Sequence, residues 1–103
     1  MRSRVFRYAF SASVPMEEVE SSLLLAVLGV ESLHGETEVH LSAAHRLDPQ
    51  RRTCVVDASS EAGRNLNRLF AGFLRREFGR HQFTVRRLEG PVPSATDSSR
   101  DGS

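Results

Sequence analysis

The sequence has no lysine, no tryptophan, one tyrosine and one cysteine. With Cys54 as the only thiol, no disulfide can form within the chain, and a reducing compartment is compatible with that. No apolar run is long: the longest, Leu23 to Leu28, is six residues, against the ~20 that a membrane span needs. The segment from Met1 to Val14 carries Arg2, Arg4 and Arg7 but alternates like a strand, and does not read as a signal peptide. A soluble, cytoplasmic chain that neither crosses nor sits on a membrane is the expectation. Metal-ligand spacing, a phosphate-binding glycine loop and a nucleophile motif are all missing. His34, His40, His45 and His81 include no helical i, i+4 pair. No metal and no cofactor are expected, and no catalytic constellation is recognised.

What is present is 103 residues, 39% hydrophobic and 26% charged. That suffices for one domain of about 90 ordered residues. The formal net charge of +1 hides an asymmetry. Residues 1–50 hold four arginines against seven acids, and residues 51–103 hold ten against six. A local field of this kind bears on partner choice rather than on fold.

Residues 5–14, VFRYAFSASV, alternate with period two and place Phe6, Tyr8 and Phe10 on one face, which predicts a strand. Pro15 suits a helix start, and Glu17, Glu18 and Glu20 favour the positive end of the helix dipole. Val19, Leu23, Ala26, Val27, Val30 and Leu33 recur at helical spacing, and Gly35 is placed to end the helix, so a helix is expected over about 15–34. TEVHLSAAHRL and RTCVVDA flank Asp48-Pro49-Gln50-Arg51, a good type I turn. They predict a hairpin in which Leu47 faces Arg52, His45 faces Cys54 and Ala43 faces Val56. Ser59 and Ser60 can cap a second helix whose buried stripe is Leu66, Leu69, Phe70, Phe73 and Leu74, extended by Phe78 and ended by Gly79. HQFTVRRL, residues 81–88, alternates again as a fourth strand. Residues 90–103, rich in Ser, Gly, Pro and Asp, are expected to be a disordered tail beyond a single domain over 1–89.

The order β-α-β-β-α-β, with right-handed crossovers, resembles the ferredoxin-like superfold over residues 5–88. It implies an α+β two-layer sandwich, a four-stranded antiparallel sheet with two helices on one face. That architecture hosts many unrelated functions and by itself implies none.

Alternation then assigns an open sheet face: Arg7, Ala9 and Ser11, then His40, Ser42 and Ala44, then Thr53, Val55 and Asp57, then Thr84 and Arg86. In RNA-recognition domains of this topology, aromatics on the two central strands stack bases. Here those positions are Arg7, Ala9, Val55 and Asp57, which argues against that use. A face with small chains at Ala9, Ala44 and Val55 suits sheet-to-sheet contact, or simply solvent. On the first helix, Leu24, Leu25 and Leu28 project away from the core stripe, and a ridge of this kind suggests a protein contact, or burial beneath another part of the chain. On the second helix, Arg64, Arg68 and Arg75 share a stripe flanked by Asn65, Gly72 and Arg76. Such a stripe is ordinarily a solvated face, and Arg64 or Arg68 could pair with Glu17, Glu20 or Glu31, yet Arg also suits phosphate. Gly72 could admit a close approach there. Glu77 falls within the apolar stripe of that helix and needs a partner. Asp57 with His40 could only do acid–base work in a concave pocket. Cys54 points inward and should be inert. The leading reading is a non-catalytic interaction or assembly module whose partner is a second copy or another protein. The other is binding of nucleic acid or an anionic partner through the arginine face.

Overall fold

The computed structural model describes residues 4–88. The expectation of a disordered tail over 90–103 concerns residues outside that range. The elements run β1 (Val5–Phe10), α1 (Met16–His34), α2 (Glu36–Ser42), β2 (His45–Asp48), β3 (Thr53–Asp57), α3 (Glu61–Phe78) and β4 (Phe83–Leu88). The fold is α+β, with a four-stranded antiparallel sheet in the order β2-β3-β1-β4 and three helices.

Alternation along β1 turns Tyr8 and Phe10 inward, and pairing lines them up with inward residues of its neighbours. Phe10 lies opposite Phe83 and Tyr8 opposite Cys54, both buried, while Val85, opposite Tyr8 on β4, is exposed. The helices contribute their own stripes to the same core cluster: Val19, Leu23, Ala26 and Val30 from α1, Val39 from α2, and Ala62, Leu66, Phe70 and Leu74 from α3. The Tyr8 ring meets Phe70 edge-on at 4.9 Å. An edge-on aromatic pair of this kind contributes about 0.5–1.5 kcal/mol beyond its buried area.

Three expectations need correction. The segment 36–42 is not strand but helix, so the second strand is only His45–Asp48. Thr37, Val39, Leu41 and Ala43 alternate as a strand would, but Val39 and Ala43 are also one helical turn apart. In a piece this short the two periods compete. Packing decides in favour of the helix: Val39 and Ala43 are buried, while Leu41 is 75% exposed. Gly35, at φ 89, supplies the left-handed residue that breaks α1 from α2. Leu33, assigned to the core stripe of α1, is 74% exposed.

The hairpin also closes differently. Asp48 pairs with Thr53, Leu47 with Cys54 and His45 with Val56, a register displaced by two residues from the tight-turn alignment. The connection is therefore four residues, Pro49 to Arg52, and Arg52 takes φ 57 to complete it. That conformation costs a side chain of order 1 kcal/mol or more. The Arg52 guanidinium repays part of it by donating to the carbonyl oxygens of Ser11 and Val14, which straps the hairpin to the turn before α1. Because side chains alternate with period two, a shift of two leaves the residues of β3 on their assigned faces. Cys54 and Val56 are enclosed, and Val55 and Asp57 lie on the other side, half-buried.

Candidate functional site

Helix α1 is apolar on both sides. Its inner stripe meets the core. Outward, Leu24, Leu25 and Leu28 are 57%, 60% and 62% exposed. From Ser21 to Val30 it carries no charge, while Glu17, Glu18, Glu20 and Glu31 flank the stretch. A surface helix normally turns charged or polar residues to water, and three leucines within little more than one turn leave this one with an uncovered ridge.

The open sheet face departs from its assignment at its second strand. His40 and Ser42 sit on α2, and Ala44 lies in the link before β2, exposed. Ala44 and Val55 do share a shallow depression of about 140 Å³ with Val5, Arg46 and Asp57. Ala9 is on β1 opposite Thr53, two residue pairs beyond Val55. Beside these small chains a cross-strand row runs Arg46, Val55, Arg7, Arg86. Three arginines on one row make the face less flat and more cationic than its alanines suggest.

The arginines of α3 divide into two groups. Arg64 and Arg68 line a cleft of about 250 Å³ together with Arg4, Phe6, Ala58, Asn67 and Arg87. Arg75 and Arg76, exposed in the last turn of the helix, do not line it. Pairing of Arg64 or Arg68 with acids of α1 is not what the fold produces. Among the described residues the one ion pair is Arg51 with Asp48, at 3.9 Å. The polar contact between α3 and α1 is made instead by Asn65, whose amide nitrogen lies 2.9 Å from His34 Nε2. Helical spacing does not bring Arg4 and Arg87 to this stripe. Arg87 stands opposite Phe6 across the β1–β4 pairing, two places along from Arg4, so nearness in space was set by a strand pairing and not by helical spacing. Gly72, expected to admit a close approach, meets nothing of this chain within 4 Å.

Asn67 is held in place by Tyr8, whose hydroxyl donates to Asn67 Oδ1 at 2.6 Å. Burial drives the Tyr8 phenol well above its ordinary range, so this hydroxyl stays a donor. With its oxygen engaged, the Asn67 amide turns its nitrogen away from Tyr8.

The acid–base candidates are not assembled. Asp57 accepts from the Ser59 backbone nitrogen at 3.0 Å, an Asx-type turn that leads into α3. His40 lines a different hollow, with Glu31, Glu36 and His45. Glu77, placed by spacing in the apolar stripe, is exposed and needs no partner. His45, expected opposite Cys54, stands opposite Val56 and is exposed at the sheet edge, its Nδ1 3.0 Å from the Ala43 carbonyl. Cys54 is buried, and burial pushes its thiol up to about 12. Among the described residues no group of three or more His, Cys, Asp or Glu side chains is placed to hold a metal. Nor is any helix there long and apolar enough to cross a membrane. No family model, curated protein or solved structure matches this chain.

Proposed function

We propose that this chain is a non-catalytic interaction module whose contact surface is the outer face of α1, and that it pairs with a second copy of itself. The carrying observation is the ridge of Leu24, Leu25 and Leu28, more than half exposed on a helix that is already buried on its other side. A two-fold contact across this ridge covers six leucines. Fully burying each side chain is worth about 1.5–3 kcal/mol, and the parts already covered lower that. The total is similar to the freedom lost on association, which suits reversible pairing. Ala9, Ala44 and Val55 are a lesser candidate, because a symmetric sheet-to-sheet contact would bring two sets of Arg7, Arg46 and Arg86 together.

Sedimentation velocity across a concentration series tests the reading. A monomer–dimer equilibrium is expected, and Leu24→Glu with Leu28→Glu should leave only monomer without loss of helical signal. Glu17, Glu20 and Glu31 flank the ridge and would oppose their counterparts, so added salt should tighten the pair. A wild-type chain that stays monomeric at every concentration, with no copurifying protein, would sink it.

Two narrower readings go with this proposal. The fold reads as a ferredoxin-like sandwich enlarged by α2, a view supported by the strand order β2-β3-β1-β4 and by helices on either side of the hairpin in sequence. The cytoplasm is the compartment that a single buried, unbridged thiol fits best.

A further inference from the structure

The cleft beside α3 collects four positive charges from three elements: Arg4 where the chain enters β1, Arg64 and Arg68 on α3, and Arg87 on β4. Among the described residues no carboxylate lines it and none pairs with these four. Like charges gathered on one concave surface repel, and the arrangement is unfavourable unless an anion offsets it. Arginine is the side chain best suited to such an anion, because its planar fork gives paired donors to phosphate oxygens. Asn67 adds a neutral donor, its amide orientation set from below by the Tyr8 hydroxyl. Phe6 and Ala58 supply an apolar floor. The Ala58 nitrogen donates to the Arg4 carbonyl at 2.8 Å, which ties the start of β1 to the segment leading into α3.

We propose that this cleft binds a small phosphorylated ligand carrying at least two phosphate charges, with any apolar part resting on Phe6 and Ala58. Compactness favours such a ligand over a nucleic-acid strand. A strand needs a track of cations, whereas Arg68 and Arg75 are seven residues apart, about 10 Å along the helix, and Arg75 and Arg76 stand outside the hollow. The proposal does not depend on the contact through α1.

Pyrophosphate is the probe, titrated calorimetrically into the full chain at low salt. Saturable binding is expected. Arg68→Gln and Arg87→Gln should each weaken it roughly tenfold, while both keep or raise the melting temperature without ligand, since each removes a repulsion. Arg75→Gln and the Leu24→Glu, Leu28→Glu variant should bind as the wild type does. No saturable binding would overturn the proposal. So would equal weakening by Arg68→Gln, Arg87→Gln and Arg75→Gln, which would mean diffuse attraction to net charge. Tighter binding of a single-stranded oligonucleotide than of pyrophosphate, lost with Arg75→Gln, would replace the small ligand with a nucleic-acid strand.

Discussion

Two glycines of α3 have opposite jobs, and a methyl group distinguishes them. A Cβ added at Gly63 would overlap the Asp57 carbonyl oxygen and crowd the Ala58 Cα, both backbone atoms that cannot swing aside. Gly63→Ala should therefore cost about 2 kcal/mol or more in urea unfolding, the range of overpacked cores. At Gly72 a Cβ meets open space, so Gly72→Ala should gain about 1 kcal/mol from helix propensity alone. Helical spacing marks both positions equally. Only the approach of the end of β3 to the first turn of α3 makes one of them obligatory. The same scale holds the pH dependence. Burial lifts Cys54 from an ordinary 9.0 to about 12. The folded chain then keeps a proton that the unfolded chain has lost. Stability from this group is full below pH 9 and falls as pH rises toward 12. Thermal melts should show that decline, and Cys54→Ala should shrink it, with Tyr8 contributing the remainder in the same direction. At neutral pH the thiol should react with a disulfide reagent only when the chain unfolds.

At the scale of elements, Ser60 joins two helices. Its hydroxyl oxygen accepts from the Gly63 nitrogen at 2.9 Å, capping α3, and its hydroxyl donates to the Ser42 carbonyl at 2.6 Å at the end of α2. The cap was readable from Ser59-Ser60 ahead of an apolar-periodic run. The second bond was not, because it needs α2 to exist. Ser60→Ala should cost about 1–2 kcal/mol, and amide exchange should quicken both at Gly63 and in the last turn of α2. A cap acting on α3 alone would quicken only the former. The long elements were legible because each repeats its period several times: β1 through Phe6, Tyr8 and Phe10, α3 through Leu66, Phe70 and Leu74. The seven residues of α2 hold too few repeats for the helix to outvote the strand.

For the molecule as a whole, the two proposed surfaces should respond oppositely to solution conditions. Contact through Leu24 and Leu28 would bury apolar area beneath a fringe of carboxylates, and salt should favour it. Anion capture by Arg4, Arg64, Arg68 and Arg87 should weaken as salt screens it. If pairing stabilises the fold, the melting temperature should also rise with protein concentration and become concentration-independent in the Leu24→Glu, Leu28→Glu variant. The two effects separate cleanly in one set of melts.

Which residues face inward was decided mostly along the chain itself, Leu33 and Glu77 being exceptions that spacing places inward and the fold leaves exposed. Alternation and helical spacing are local properties, and a hairpin that slides by two residues preserves them, so Cys54 and Val56 lie inside despite the altered closure at Arg52. Which outward residues meet one another was decided only by the tertiary structure. Arg4 and Arg87 lie near opposite ends of the described chain and reach Arg64 and Arg68 through the pairing of β1 with β4 and the packing of α3 against the sheet. No local period records contacts of that kind, since they depend on which strands become neighbours and not on the spacing within any one of them.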